Sequence, residues 1–554
     1  MILLVSILLG LVHAEWAIEL DPAVDPAVFA AEHELVLLKK RIEYMEHVYF
    51  FESSKKRSTV SVRSLSGVRQ AEEQVVRKHY TRNHANGDDH MPDPLYLSQW
   101  HLHTSSFSIN SDRAGNLTGA GITIAIVDDG LQHTHPDLKA NYDPTHSYDF
   151  NDNDYDPSPS ANDGHGTAAA GVAGAVKENG HCGRGVATSV KLVGIRAIAA
   201  AISDYTEAQA LTHEGLATVD IYSSSWGPSD DGITMAGPGM LTMGAFAYYA
   251  GQYHGRHGKG SIYIWAGGNG RDVGDSCAYD GYSSNMYTIS VGSINHQGEQ
   301  AWYSEGCAAL FGVTPSSGAM KGISTVDLIG SAGYDAGECT ANFGGTSASA
   351  PMAAGMIALM LEARPDLTWR DVKHVIAKSG IQIHAADPDW HVNGRGYKHS
   401  HKYGFGVMRV PSLLASAREH VLVPRDVKVW RSVIKPLNTG TIGNIPCVVN
   451  HTVVSNSGIT FIEHVTLYVS ISHPQRGNVR VSLISPSGTV SVMGPERPRD
   501  HTYNYPPDGW TFLSVRHWGE SVVDGVWTVM VNDTNARTVG QGHLNAYGFA
   551  LYGF

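Results

Sequence analysis

From residue 95 to about 418, short apolar runs alternate with helix-like runs across glycine-rich joints. The runs 122–127, 191–195, 220–224 and 261–265 read as strands. Strands that take turns with helices cannot pair as hairpins. They pair in parallel and are covered by helices on both faces, which predicts an α/β unit with a mostly parallel sheet. In such sheets reactive side chains collect at the carboxyl ends of strands. Residues 15–82 mix short apolar runs with basic clusters and read as a small α/β unit ending in a basic helix over 72–82, followed by a polar linker over 83–94. From residue 424 the helical period gives way to alternating runs at 465–469, 479–484, 527–531 and 549–552, which predicts a β-sandwich of jelly-roll type over 424–554.

Four joints carry reactive residue types. Strand 122–127 runs into Asp128-Asp129-Gly130, where a carboxylate can orient an imidazole. His165 stands between Gly164 and Gly166 at the start of a small-residue helix, glycines that would let a substrate backbone come close. Asn269 follows strand 261–265 within Gly267-Gly268-Asn269-Gly270, and a side-chain amide there can donate to an oxyanion. Ser347 follows Gly344-Gly345-Thr346 at the mouth of a helix predicted over 348–363, whose N-terminal potential favours a developing negative charge. Each joint alone fits a capped turn as well. The chain order Asp, His, Ser is one of the known orders of a serine-hydrolase triad.

Charge narrows the partner class. Asp and Glu number 53 against 40 Lys and Arg, a formal net charge of −13. That balance argues against nucleic acid and suits basic ligands or bound cations. Residues 1–14 have an apolar core ending in a small-residue pattern at Ala14 and read as a signal peptide, so the product is expected in the secretory pathway or outside the cell. No stretch reaches the ~20 apolar residues of a membrane span, and no membrane anchor is expected. Export permits disulfides among the 5 cysteines, with one thiol left over.

The strings at 126–130, 135–138, 222–228, 275–282, 302–307, 345–351 and 367–371 together resemble the subtilisin superfamily, and within it the kexin/furin group of proprotein convertases. The resemblance implies an inhibitory pro-domain over 15–82, a subtilisin-like catalytic domain over 83–423 and a P domain over 424–554. It implies that His165 takes the proton of Ser347, that Asp128 holds the imidazole, and that Asn269 with the Ser347 N–H binds the oxyanion. It assigns Asp230 and Asp280 to the pocket for the residue before the cut, and Asp129 with Asp163 to the second basic residue. Glu207 and Tyr282 are assigned farther out. It implies Ca2+ as cofactor on three sets: Asp93, Asp137 and Asn179; Asp149, Asp154 and Asp156; Asp230, Asp275 and Glu305. It pairs Cys182 with Cys339 and Cys277 with Cys307, leaving Cys447 over.

The expected activity is therefore a calcium-dependent serine endopeptidase that cuts precursor proteins after basic, preferably paired, residues. Ala199, Ser229 and Ala236 replace acidic positions of furin, which predicts kexin-like dibasic preference. Self-cleavage is expected after Lys78 or Arg82. The chain is expected to act as a monomer on protein or peptide precursors, with its own pro-domain as inhibitor. The rival readings are a broad-specificity secreted protease and an inactive, calcium-stabilised binding protein.

Overall fold

The computed structural model describes residues 14–38, 45, 47–53, 59–74, 80–81, 95–103, 106–213, 218–330, 332–437, 440–443, 446–454, 458–521, 523–535 and 542–554. At its centre the strand Thr123–Asp128 lies in a seven-stranded sheet. In spatial order the strands are Leu310–Pro315, Thr288–Ile294, Ile262–Ala266, Ile221–Ser224, Thr123–Asp128, Lys191–Arg196 and Tyr148–Asp149. Every neighbouring pair is parallel. These strands are buried along almost their whole length, because helices cover both faces of the sheet.

The helices His165–Gly174 and Thr346–Ala363 pack on this sheet and on each other. Their small residues let the backbones approach closely. A Cβ on Gly355 would lie 2.6 Å from Val186 Cβ and 2.9 Å from the Ala173 carbonyl oxygen. Pro351 sits inside the long helix. It has no N–H for the carbonyl four residues back, that of Ser347. Ser225 supplies the missing donor, its Oγ reaching the Ser347 carbonyl at 3.1 Å.

After the catalytic-type unit come two antiparallel sheets. One orders Lys428–Arg431, Gly542–Gly553, Ile462–Ser472 and Trp510–Ser514; the other orders Cys447–Val453, Gly525–Asp533, Val479–Ile484 and Val490–Gly494. Val465, Leu467, Val469 and Ile471 point inward against Val479, Val481, Leu483, Trp527 and Val529, a sandwich core built on period-two alternation. The sandwich is fastened to the helix Trp369–Ser379 by a buried pair. Arg370 Nε meets both oxygens of Glu463 at 3.1 and 2.9 Å, its Nη2 meets Oε1 at 2.9 Å, and His374 Nε2 meets Oε1 at 2.7 Å.

The N-terminal unit is a four-stranded antiparallel sheet in the order Val36–Leu37, Val48–Ser53, Ala14–Leu20, Val68–Glu73. One face packs on its own helix Pro26–Glu32. Through Ala17, Val48 and Phe50, the other face packs on Ala208, Met240, Leu241 and Ala245. The basic helix expected over 72–82 is absent among the described residues there. Val68–Glu73 is a strand, and so is Tyr80–Thr81. Pairing of Val68–Glu73 with Ala14–Leu20, a contact distant in sequence, overrides local helix propensity. Residues 1–13 of the expected signal peptide lie outside the described residues, as do Lys78 and Arg82. Among the described residues no helix is long and apolar enough to cross a membrane.

Candidate active site

Asp128 ends its strand at the carboxyl edge of the sheet and His165 opens the helix beside it. Asp128 Oδ1 lies 2.8 Å from His165 Nδ1, and both side chains are buried, 1% and 4% exposed. The contact is tight because Gly166 has no side chain. A Cβ there would lie 2.2 Å from the Gly130 carbonyl oxygen and 2.8 Å from Asp128 Cβ. The glycine thus serves a close approach within the protein, where the sequence suggested room for a substrate backbone. Burial disfavours the charged imidazole, yet the Asp128 carboxylate and the charge of Asp129 outweigh it and raise the His165 pKa. His165 Nε2 has no hydrogen-bond partner among the described residues.

Asp129 caps a helix that it does not belong to. The helix His165–Gly174 has Gly164 at its N-cap and no side-chain cap from that position. Asp129 supplies the cap from the neighbouring strand end, accepting from His165 N at 3.2 Å and Gly166 N at 2.7 Å. Burial, followed by the charge of Asp128, pushes its carboxyl up to about 7. Asp163, expected beside it, is half-buried with its carboxylate 3.9 Å from Arg196 Nη2.

Ser347 is the second residue of the helix Thr346–Ala363 and is fully buried. Its hydroxyl donates to the Ser225 carbonyl at 3.4 Å. Phe343, four residues earlier, sets its ring edge-on to His165 with centroids 5.6 Å apart. The N-cap Gly345 has φ 70° and ψ −179°, a conformation open to glycine, and brings no capping side chain. Asn269 is fixed by its oxygen: Oδ1 accepts from Thr346 N at 2.9 Å and Thr346 Oγ1 at 3.0 Å. The amide nitrogen is thereby turned the other way, as a donor. Sequence reading missed Ser225, Thr346 and Arg196, which hold these groups; only Pro351, four residues past Ser347, hinted that a donor would be needed.

Glu207 and Tyr282, expected farther out in the substrate pocket, are joined to one another. Tyr282 Oη donates to Glu207 Oε2 at 2.8 Å, both side chains are buried, and the tyrosine ring stacks on Trp265 at 5.0 Å. Asp280 holds its own turn, accepting from Tyr282 N at 2.8 Å and Ser283 Oγ at 3.0 Å. Tyr80–Thr81 pairs antiparallel with Trp226–Gly227, Thr81 opposite Trp226 and Tyr80 opposite Gly227.

None of the three expected cation sets gathers three carboxylates at ligand spacing among the described residues, and of their described members Asp137 alone offers unpartnered oxygens. Asp230, Asp275 and Glu305 surround the turn that presents Asn269. Asp230 Oδ2 accepts from Asn269 N and Glu305 Oε1 from Gly270 N, both at 2.8 Å, while Asp275 Oδ2 accepts from Gly232 N at 2.7 Å. Burial raises the Asp275 carboxyl to about 6, partly offset by Arg497. Asp137 is fully buried, its carboxylate oxygens make no well-formed hydrogen bond among the described residues although Asn179 and the Gly183 N–H approach them, and burial raises it to about 6. Buried oxygens of this kind suit a hard cation. Asn179 lies at the surface nearby, its Oδ1 accepting from His181 N at 3.1 Å. Asp93 lies outside the described residues. Asp149, Asp154 and Asp156 do not converge on one point. Asp149 is engaged by Arg196 at 2.6 Å and by the N–H groups of Asn151 and Asp152 at 2.7 and 3.0 Å; Asp154 accepts from Asp156 N at 2.8 Å; Asp156 meets His133 at 3.2 Å. An arginine from another strand has taken the place that the short spacing suggested for a cation. Disulfides join Cys182 to Cys339 and Cys277 to Cys307, and Cys447 is a free, half-buried thiol.

The described family of subtilases matches residues 119–406, and the proprotein convertase P-domain matches residues 462–551. Proprotein convertase subtilisin/kexin type 6 of Rattus norvegicus is 38% identical over 577 residues, covering 97% of this chain and 59% of its own length. The type 7 protein of Mus musculus is 36% identical over 541 residues, covering 92% of this chain and 68% of its own. The chain thus spans about three-fifths of the type 6 relative. Among solved structures the serine protease of Aeromonas sobria shares the fold, with a TM-score of 0.73 at 21% identity over 83% of this chain and 95% of that one.

Proposed function

The chain belongs to the subtilase family, in its proprotein convertase branch, and from that membership we propose that it is a calcium-dependent serine endopeptidase of the secretory pathway that cuts precursors after basic, preferably paired, residues. The observation that carries the proposal is the buried Asp128–His165 bond beside the helix start that bears Ser347. In this reading Ser347 Oγ leaves the Ser225 carbonyl, gives its proton to His165 Nε2 and attacks the scissile carbonyl. Asp128 stabilises the imidazolium and fixes its orientation, and His165 returns the proton to the leaving amine. Asn269 Nδ2 and the Ser347 N–H donate to the oxyanion.

Asp230 and Asp280 would receive the basic side chain before the cut through charge-assisted bonds, and Asp129 the next one. Asp230, Asp275 and Glu305 would hold one calcium ion and Asp137 with Asn179 another. The cation's contribution when bound is to relieve repulsion among buried carboxylates. The first set then keeps the Asn269 turn in place.

The register of Tyr80–Thr81 supports self-cleavage after Arg82. Thr81 pairs opposite Trp226, which directly follows Ser225, the residue whose carbonyl holds the Ser347 hydroxyl. A mature N-terminus at Asn83 is expected on sequencing; one at His79 would move the cut to Lys78. The activity itself is tested on peptides that differ only before the scissile bond. Wild type is expected to cut after Lys-Arg and Arg-Arg and to stop on chelation, and Ser347→Ala to cut nothing. Equal cleavage of neutral peptides would favour a broad-specificity protease.

A further inference from the structure

A cavity of about 380 Å³ opens between the segment 388–401 and the sandwich strands Val479–Ile484 and Val490–Gly494. Its wall carries Arg480, Arg516, His391, His401 and Asp389, with Val490, Val492 and Pro495 as an aliphatic rim. Arg516 is only 6% exposed. Its Nη1 lies 2.9 Å from His401 Nδ1 and its Nη2 donates to the Asp389 carbonyl at 3.2 Å. Its Nε is buried with no partner among the described residues, and the same holds for His401 Nε2.

The carboxylates nearby are already engaged. Asp389 accepts from His401 Nδ1 at 2.8 Å and from Ser400 Oγ at 2.6 Å. Glu496 pairs with Arg480 at 3.4 Å. Glu520 accepts from Thr489 and from Gly394 N. The wall therefore holds two permanently charged guanidiniums, Arg516 beside Asp389 and Arg480 paired with Glu496, with the Arg516 Nε–H unused and the His401 Nε2 unpartnered. A buried guanidinium N–H without an acceptor is costly, and an anion is the ligand that relieves it.

We propose that this cavity is a binding site for a small tetrahedral oxyanion, of the phosphate and sulfate class, held by Arg516 Nε, Arg480 and His401 Nε2. The volume exceeds that of a bare ion, and the aliphatic rim leaves space for an organic substituent, so a monoester is admitted as well as the free ion. With an anion against Nε2, His401 takes up a proton, Nδ1–H then facing Asp389 and Nε2–H the ligand. In the free site burial, followed by the charge of Arg516, lowers the pKa of His391. Burial also lowers that of His401, with Arg516 and Arg480 adding to it and Asp389 opposing. Glu520 and His517 are the other titratable groups that face His391. A bound anion reverses the local field, so binding takes up protons and tightens as pH falls.

The test is a thermal-shift titration of the calcium-loaded full chain. Sodium sulfate and O-phosphoserine are compared with sodium chloride at matched ionic strength, at about pH 6 and about pH 8. A saturable rise in Tm with either oxyanion, absent with chloride and reached at lower concentration at the lower pH, is expected. Saturation by O-phosphoserine alone assigns the site to monoesters; saturation by both assigns it to the whole class. Arg480→Gln, at a half-exposed position where folding is not at stake, should raise the half-saturating concentration at least about fivefold. Arg516→Gln, if folded, should abolish saturation. Oxyanion curves that match chloride, or an Arg480→Gln curve that matches wild type, would overturn the proposal.

Discussion

At the residue scale, the site turns on two adjacent carboxylates with different tasks. Asp128 holds the imidazole and raises its pKa, so the neutral base dominates only above the ordinary histidine value. Asp129 ionises at about 7, because burial and Asp128 disfavour its charge. The two titrations overlap, but a ratio of rates on two peptides cancels the first. Preference for a basic over a neutral residue at the second position is expected to fall about tenfold from pH 8 to pH 6, the worth of one charge-assisted hydrogen bond. In Asp129→Asn the ratio should be low and flat with pH; a ratio that still varied would remove Asp129 from the pocket. Asp128 and Asn269 could be expected from the chain because each follows an apolar run at a glycine turn, and His165 and Ser347 because each stands beside glycines at the start of a small-residue helix. Arg196 could not, since it reaches Asp149 across 47 residues of chain. Short acidic spacing looks the same whether an arginine or a cation will satisfy it.

At the element scale, the helix Thr346–Ala363 carries the nucleophile through a local defect. Pro351 leaves the Ser347 carbonyl without a helical donor, and Ser225 Oγ replaces it. Ser225→Ala should therefore cost about 1–3 kcal/mol in urea unfolding, the penalty of a buried unpaired carbonyl. Pro351→Ala restores an N–H at the right place, so the double variant should recover most of that loss. A double variant no more stable than Ser225→Ala would show that the carbonyl is satisfied in some other way. The central strands and this helix were legible because apolar period and end signals agree. The described ends of the segment 72–82 were not, because Val68–Glu73 pairs with Ala14–Leu20 and Tyr80–Thr81 with Trp226–Gly227, partners distant in sequence.

At the scale of the whole molecule, the N-terminal sheet covers the helices Asp204–Ala210 and Met240–Phe246, and the sandwich is tied to the helix Trp369–Ser379 by Arg370, His374 and Glu463. Glu463→Ala leaves the Arg370 charge buried without its partner and should destabilise by about 3–5 kcal/mol. Urea midpoints of variant and wild type read this, and a change below about 1 kcal/mol, the range of a surface pair, would mean the pair does not hold the units together. The central claim is that Ser347, activated by His165 and Asp128, is the group that attacks. Its most direct test is to treat the calcium-loaded protein with a fluorophosphonate bearing an arginine-like side chain and to map the adduct by peptide mass spectrometry. The account predicts a single stoichiometric adduct on Ser347, lost in Ser347→Ala; an adduct on any other residue, or none on a folded protein, would contradict it.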